Sequence, residues 1–417
     1  MATPEAFYRN AIDLNRYSNS VSRRLITAYN EIILDTVYKL QLVDDLTAPA
    51  TAARLRTLLA QLQESLGTWA IDSSTVTASQ LQGLSQLQVD FVQDELKRLL
   101  PRGARSAVRT VEISPQFAES VVMTDPTRIN VFTLPGELED AVTEGFRPTF
   151  SLTQADGAVI TLPNGATVNK AFRGIAVSQA DLFAKTVRNG LLTGETTQQI
   201  AKRLKGRLQF ENARKGSVRQ IAKRGGQSTQ MANHQVMTIV RTSVNQVSNA
   251  ASQSVYKANR DITEKYQYVA TLDSRTSAIC ARLDGQEFEY GKGPMPPQHF
   301  NCRSTTVPVV EDEWYKQMGL EKPKETGPTQ DKRAAKWGKD QKGRQVPANM
   351  NYADWLAKQP NSVQAEVFGK WKSQYFRDLS KKKGPQAALR SIVRSDGSEL
   401  TLAQLKQRYP SLPASDG

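Results

Sequence analysis

The sequence predicts an α+β protein that is predominantly helical. We expect an N-terminal helical region, a central α/β module with a small β-sheet, and a linked helical C-terminal tail. Apolar residues recur every three to four positions through the first hundred residues, which is the spacing of one helix face. Around residues 266–310, apolar and polar residues alternate between turns rich in glycine and proline, which is typical of short strands. The 417 residues suffice for two or three domains.

Residues 1–110 are predicted to form helices that each carry one apolar stripe. Three runs have the helical spacing: Ile26, Tyr29, Ile33, Val37 and Leu40; then Leu55, Leu59, Leu62, Leu66 and Trp69; and finally Leu84, Leu87, Phe91 and Leu96. Pro101 ends the third run, because proline breaks a helix interior. Such stripes indicate an antiparallel bundle or a packing face for a partner, and the bundle is the preferred interpretation.

Residues 111–177 are interpreted as a connecting segment with a small β-meander. The pairs Asp156-Gly157 and Asn164-Gly165 are typical of hairpin turns, and the residues around them are rich in Val, Ile, Thr and Leu. Helices are expected to resume at Ser178, which with Asp181 resembles a capping box.

The central module is assigned to residues 178–310. Thr196 and Gln199 form a second predicted capping box, and a longer helix is expected over about 228–260. A strand pattern follows from Tyr266, and 305–310 is predicted to be the closing strand. Residues 311–345 are interpreted as a flexible basic linker, since the stretch from 321 has almost no aliphatic residues.

Residues 346–417 are predicted to be a helical tail. Short amphipathic segments surround Trp355 and Trp371, and Thr401 with Gln404 caps a final short helix.

The chain is strongly basic, with 55 Lys and Arg against 41 Asp and Glu. An excess of this size favours polyanionic partners such as nucleic acid. Much of it falls between residues 201 and 230, where Glu211 is the single acid beside Lys202, Arg203, Lys205, Arg207, Arg214, Lys215, Arg219, Lys223 and Arg224. These side chains could contact phosphates of double-stranded DNA without reading bases. The alternatives are a solvated helix face or a surface for an acidic protein partner.

Several function classes lack their sequence signatures. No apolar run of about 18 residues is present, so no membrane span is expected. The first residues lack the basic and apolar regions of a secretory signal, and two cysteines do not make a disulfide framework. Neither a phosphate-binding glycine loop of the Walker type nor an H-E-x-x-H zinc-protease helix occurs. We therefore expect no catalytic residues and no enzyme.

Cys280, His299 and Cys302 are candidate metal ligands. His299 and Cys302 have the short spacing found in zinc knuckles. A fourth ligand could come from Asp273, Asp284 or His234, so a structural zinc is one interpretation and no other cofactor is expected. A buried thiol pair, a hydrogen-bonded histidine and a Cys–His nucleophile pair are the alternatives.

The central module contains a set of residues with a distinctive order and spacing: Arg241, Thr242, Asp273, Arg275, Thr276, Cys280, Gly285, Pro296, Pro297, His299, Asn301, Cys302 and Arg303. In this set the chain resembles the phage Mu protein F-like family of minor head and head morphogenesis proteins. Residues 187–206 and 351–378 are similar to segments that accompany this domain, so the resemblance spans roughly 187–410. In one departure, Ser304 stands where many relatives have a second cysteine, which removes a potential metal ligand.

The resemblance implies a structural virion protein, made in the host cytoplasm and bound inside the head at the portal vertex. It would act in head morphogenesis and in DNA packaging, retention or ejection. The implied partners are the portal protein, the scaffolding or major capsid protein, and double-stranded phage DNA bound without sequence preference; no membrane is implied. The alternatives are a phage-packaged Cys-dependent hydrolase or toxin effector, and a non-specific DNA-binding protein.

Overall fold

Two long helices open the chain. The computed structural model describes residues 4–43, 49–112, 168–310, 312–321 and 332–412. Helices α1 (Pro4–Gln41) and α2 (Pro49–Leu99) precede a 3-10 turn, Arg102–Ala107. The second and third apolar runs of the sequence therefore belong to one helix and not to two. No proline occurs between Pro49 and Pro101, and the two glycines inside the helix cost only about 1 kcal/mol each relative to alanine.

Four further helices complete the first half of the fold. They are α3 (Val168–Leu192), α4 (Thr197–Lys205), α5 (Val218–Ala222) and α6 (Gln227–Ala258). The capping box at Thr196 is confirmed, since its hydroxyl accepts from the Gln199 amide and the Gln199 side chain accepts from the Thr196 amide. The predicted start at Ser178 is wrong, because Ala171, Phe172 and Ile175 extend the buried stripe of α3 back to Val168. The predicted β-meander lies almost wholly outside the described residues.

The helices α1, α2, α3 and α6 pack around one hydrophobic core. At its centre the ring centroids of Tyr29 and Trp69 lie 5.2 Å apart, and those of Trp69 and Phe172 lie 5.8 Å apart. The predicted bundle is therefore present, but it also includes α3 and α6. The N-terminal helices share their core with the helices of the central module, so the two regions fold together.

The central sheet has three antiparallel strands in the order β2-β1-β3. The strands are β1 (Lys265–Val269), β2 (Glu287–Glu289) and β3 (Thr305–Val309), and α7 (Ala278–Leu283) connects the first two. The buried Tyr256 of α6 fixes this sheet to the bundle, since its hydroxyl donates to the carbonyl of Thr306 over 3.2 Å.

The segment after β3 corrects the prediction of a flexible linker. Helix α8 (Asp312–Gln317) is followed by an antiparallel hairpin of β4 (Lys332–Trp337) and β5 (Lys342–Pro347). The linker prediction over 311–345 is thus wrong for residues 312–317 and 332–345. Arg333 and Ala335 are buried, and the Lys336 amide donates to the carbonyl of Leu272 over 2.8 Å. Composition could not reveal this because one of the two buried side chains of β4 belongs to an arginine and the other to a small alanine.

The C-terminal helices pack on the module. They are α9 (Tyr352–Ala357), α10 (Asn361–Phe368), α11 (Lys370–Lys383), α12 (Pro385–Ile392) and α13 (Leu402–Arg408). Their core includes Leu272, Ala281 and Ala335 as well as the fully buried Trp355, so this region is not a detached tail. The capping box at Thr401 is confirmed. Within the part of the chain that the structure describes, no helix is long and apolar enough to cross a membrane. The fold-class prediction, predominantly helical α+β, is confirmed.

Candidate functional site

The motif residues meet where α6 packs against the loop that leads into β3. Asn301 lies in this loop with a φ of 60°, a left-handed conformation that asparagine tolerates better than most residues. Its amide donates to the hydroxyl of Thr242 over 3.0 Å, and its side chain donates to the hydroxyl of Thr238 over 2.9 Å. The peptide bond between Pro296 and Pro297 earlier in the loop is cis. Thr242 and Asn301 therefore fix the position of the loop on α6.

Asp273 organises the turn after β1. Its carboxylate is buried and accepts two hydrogen bonds from Arg303, one of them 2.7 Å long. It also accepts from the amide of Arg275 and from the hydroxyl of Thr276. Burial opposes ionisation, but the hydrogen bonds and charges of Arg303 and Arg275 outweigh it and hold the pKa of Asp273 below its ordinary value. These four motif residues therefore join the turn after β1 to the strand β3.

Asp284 is the second buried carboxylate of the module. It accepts from the amides of Ala270 (2.6 Å) and Tyr352 (2.7 Å), and from Arg333 at 2.7 and 3.1 Å. Gly285 follows with a φ of 78°, and its amide donates to the carbonyl of Tyr268. Arg333 was missed in the sequence, where it reads as one more basic residue of the linker. Asp284 therefore binds the hairpin and α9 to the sheet, and its carboxylate is occupied by these donors.

Cys280, His299 and Cys302 bring their ligand atoms together. The two Sγ atoms lie 3.7 Å apart, and Cys280 Sγ lies 3.4 Å from His299 Nε2. In a tetrahedral zinc site, bond lengths of about 2.3 Å to sulfur and 2.0 Å to nitrogen give ligand separations of about 3.8 and 3.6 Å. The two observed separations match these values, and the three ligand atoms all lie within 4.8 Å of one another. Both thiols are free, since a disulfide needs about 2.05 Å.

The fourth corner has no sequence-predicted ligand. Among the described residues, the group of clustered ligand atoms contains neither Asp273, Asp284 nor His234. The two aspartates face Arg303 and Arg333 instead. Two serines lie beside the cluster: Ser304 is buried, and the hydroxyl of Ser277 lies 2.7 Å from His299 Nε2. Three protein ligands leave the fourth zinc position to a water molecule, whereas structural zinc sites usually have four protein ligands.

The electrostatics of the cluster favour a thiolate on Cys302. Burial opposes this ionisation, but hydrogen bonds from Cys280 and His299 outweigh it and hold the Cys302 pKa well below its ordinary value. Burial likewise works against a charged imidazole, yet Cys302 raises the pKa of His299. Burial raises the pKa of Cys280 well above its ordinary value. A thiolate beside an imidazolium suits a nucleophile, and the same residues suit a metal ligand set once the imidazole has lost its extra proton.

Solvent access to the thiols distinguishes a metal ligand set from a nucleophile. Cys280 and Cys302 are each 2% exposed. The cavity beside Cys302, which Arg241 and Ser304 also line, has a volume of about 20 Å³. That is room for one water molecule and not for a substrate. The geometry therefore supports a structural role for the cluster over a catalytic one.

The predicted basic stretch divides into engaged and free side chains. Arg203 pairs with Glu195 at 2.8 Å and Arg214 pairs with Glu31 at 2.6 Å. Arg224 donates to backbone carbonyls, including that of Lys215. Within the described part of the chain, the side chains with neither an ion pair nor a hydrogen bond are Lys202, Lys205, Arg207, Lys215, Arg219 and Lys223. Of these, Arg219 lines a cleft formed with α1 and the hairpin.

Comparison with known proteins supports the motif interpretation. Residues 181–307 match the model of the family described as phage Mu protein F like protein. This match confirms the resemblance for the central part of the chain. An uncharacterized protein of Haemophilus influenzae (strain Rd) is 29% identical over 119 residues, which are 25% of this chain and 26% of that relative. The similarity thus spans about a quarter of each protein. No solved structure matches the chain significantly.

Proposed function

We propose that this chain, whose central segment is phage Mu protein F-like, is a structural minor head protein of a tailed bacteriophage. It acts in head morphogenesis and in the packaging, retention or ejection of DNA, and it binds the portal vertex inside the head. The supporting observation is that the motif residues are joined to one another. Asp273, Thr276 and Arg303 link the turn after β1 to β3, and Thr242 and Asn301 link the next loop to α6.

The rival function, a Cys-dependent hydrolase or packaged toxin, needs an accessible nucleophile. Cys302 has a favourable partner in His299 but lies buried beside a cavity of about 20 Å³. We therefore favour the structural role. Incubation of the full chain with a thiol-reactive probe tests this point: slow labelling of Cys302 in the folded protein, and rapid labelling after denaturation, is the result that the structural role requires.

Portal docking is proposed for residues 1–110. Several large apolar side chains on α1 and α2 are exposed, among them Tyr38 (57%), Leu42 (61%), Ile71 (51%) and Leu87 (68%). Tyr38 and Leu42 lie one turn apart at the end of α1, so they share a face. Exposed apolar patches commonly mark protein interaction sites. Deleting the whole region is not a clean test, because α1 and α2 belong to the shared core.

Surface substitutions give the sharper experiment. In the phage that encodes this chain, the double variant Tyr38→Gln/Leu42→Gln should fold normally and yet be depleted from purified heads. Leu192→Gln is the matched control, since Leu192 is 79% exposed on α3 outside the proposed docking region. Equal incorporation of both variants into heads would show that this end of α1 does not bind the portal.

Contact with double-stranded DNA is proposed for the free cations of the basic stretch. Lys202, Lys205, Arg207, Lys215 and Lys223 could each neutralise one phosphate. Binding would then release condensed counterions, and the logarithm of the affinity would fall against log salt with a slope of about −4.5, from about −0.9 per phosphate. Affinity should be nearly independent of DNA sequence, because contacts to phosphate carry no base information.

A matched pair of variants tests this assignment. Lys202→Gln/Lys205→Gln/Lys223→Gln should reduce the magnitude of the slope by about 2.7, which is about 0.9 for each cation removed. Arg203→Gln/Arg214→Gln is the control and should change the slope little, since those arginines are already ion-paired. A wild-type protein that does not bind duplex DNA at low salt would exclude this DNA role.

A structural zinc is proposed at Cys280, His299 and Cys302. When bound, the ion would add a strong link between α7 and the loop that leads into β3. The proposal is supported by the two measured ligand separations, by the tendency of Cys302 to ionise, and by the burial of both thiols.

A further inference from the structure

A large cleft opens between α1, the start of α5, the turn after β1 and the β4–β5 hairpin. Its volume is about 900 Å³. Among the described residues of its lining, Asp273 is the single carboxylate, whereas eight side chains are basic: Arg16, Arg23, Arg219, Arg275, Arg303, Arg333, Lys336 and Arg344. We call this feature the arginine cleft. Its charge comes from segments far apart in sequence and is separate from the free lysines of the basic stretch.

Three of these arginines already have close acidic partners. Arg16 is paired with Asp13 at 3.0 Å. Arg333 is paired with Asp284, and Arg303 occupies both oxygens of Asp273. Arg275 approaches the same carboxylate only at 3.7 Å. Arg219 has no ion pair or hydrogen bond within the described ranges. The cleft therefore holds guanidinium groups whose charge the described protein leaves uncompensated.

The fold places several positively charged side chains close together in the arginine cleft. Burial lowers the pKa of Arg219, and the charges of Arg275 and Arg303 lower it further. Among the described residues, the neighbouring Arg241 hydrogen-bonds to the neutral side chain of Asn19 alone. Burial, followed by the charges of Arg219, Arg275 and Arg303, lowers its pKa to about 10. Such repulsion disfavours the folded protein, and groups perturbed in this way cluster at functional sites. An anion in the cleft would relieve it.

We propose that the arginine cleft binds a ligand with several adjacent phosphate groups. Guanidinium groups bind phosphate oxygens in bidentate geometry and remain charged. The guanidinium groups of Arg219, Arg275 and Arg303 therefore fit a ligand with several phosphates better than a ligand with a single carboxylate. The volume lies within the roughly 300–1,000 Å³ typical of small-molecule sites. The apolar side chains of Ile12 and Val269 in the lining can contact the rest of the ligand. The phosphates belong either to a free nucleotide or to a nucleic-acid strand, and the proposal does not depend on the head-protein function.

Calorimetric titration of the full chain tests the proposal with three probes: inorganic tripolyphosphate, a nucleoside triphosphate, and a hexameric single-stranded oligodeoxynucleotide. The double variant Arg219→Gln/Arg275→Gln should bind the effective probe about 100-fold more weakly, or about tenfold for each charge-assisted hydrogen bond removed. The control is Arg105→Gln/Arg188→Gln, which removes two exposed arginines outside the cleft and should leave the affinity unchanged.

Thermal unfolding shows whether weaker binding by the double variant is caused by misfolding. Arg219→Gln/Arg275→Gln removes repelling charges, so its thermal midpoint in chloride should equal or exceed that of the wild type. Tripolyphosphate should raise the midpoint of the wild type and of the control relative to chloride at equal ionic strength, but not that of the double variant.

The outcomes are distinct. Binding of tripolyphosphate or the triphosphate, without the oligonucleotide, identifies a free phosphorylated ligand. Oligonucleotide binding that tripolyphosphate displaces identifies a strand. Lack of binding by all three probes at low salt, binding that the double variant retains, or preferential binding of a glutamate-rich peptide overturns the proposal. Lys202→Gln/Lys205→Gln/Lys223→Gln should leave cleft binding intact. The test of the cleft is therefore independent of the test of the duplex-DNA proposal.

Discussion

Replacing Arg333 by methionine tests how the hairpin is attached to the rest of the molecule. The side chain of Arg333 is 5% exposed and that of Asp284 is fully buried. Arg333 donates to Asp284 at 2.7 and 3.1 Å, to the carbonyl of Met350 at 2.9 Å, and to the carbonyl of Ala270. Methionine keeps much of the aliphatic volume but makes none of these bonds. The variant therefore leaves a buried carboxylate without its counter-charge.

The expected destabilisation follows from these hydrogen bonds. Removing one partner of a buried ion pair costs about 3–5 kcal/mol. Asp284 keeps two backbone donors, from Ala270 and Tyr352, so the loss of its counter-charge should cost about 3 kcal/mol, the lower end of this range. The two carbonyls that are left without this donor add about 1 kcal/mol in total after relaxation. We therefore expect Arg333→Met to lower the free energy of unfolding by about 4 kcal/mol.

Urea unfolding followed by circular dichroism measures this destabilisation, and tryptic cleavage within the hairpin shows whether the opening is local. Arg344→Met is the matched control on the same hairpin. The Arg344 side chain lies 4.6 Å from the ring centroid of Trp337, and its removal should cost only about 0.5–1 kcal/mol. Adding Asp284→Asn to Arg333→Met removes the buried charge, but the side-chain amide can accept from only one of the two backbone donors, so it should restore only about 1 kcal/mol. An Arg333→Met protein within about 1 kcal/mol of wild type would refute the reasoning.

Three further predictions concern the motif. Ser304→Cys should supply a fourth ligand and strengthen zinc binding, whereas Cys302→Ser should abolish it; metal analysis and the thiolate absorption of the cobalt form measure both effects. A structural zinc contributes on the order of 10 kcal/mol, so metal-free wild-type protein whose unfolding is unchanged by a chelator would argue against zinc. Because the folded-state pKa of Asp273 is depressed, its stabilising contribution is present above its ordinary pKa of 3.8 and is lost as pH falls through the folded value. Asp273→Asn should therefore be less stable at neutral pH and lose less stability below pH 3.8; an unchanged acid slope in urea titrations would contradict this. Asn301→Gly should lose only its side-chain hydrogen bond, about 1 kcal/mol, whereas Asn301→Ala should cost about 1 kcal/mol more in thermal unfolding because of its positive φ; equal midpoints would contradict the backbone argument.

The local part of the structure could be predicted from the sequence. The capping boxes at Thr196 and Thr401, the long helix α6 and the strands β1 and β3 form where the patterns predict them. The grouping of Cys280, His299 and Cys302 was also expected from their chemistry and spacing. These features depend on backbone geometry and on side chains a few residues apart. The fusion of two apolar runs into α2 was missed because a helix without proline can continue through polar residues and glycines.

The sequence by itself determined that the chain is helical, basic and phage Mu protein F-like in its centre. Only the tertiary structure decided which charges meet. Arg219, Arg275 and Arg303 lie on three separate segments, so no local pattern brings them to one cleft. Arg333 reads as a linker residue because an isolated arginine is too costly to bury, and it becomes a core residue only when the fold places Asp284 against it. Periodicity records which face of an element is buried, whereas the pairing of distant charges depends on how the elements pack.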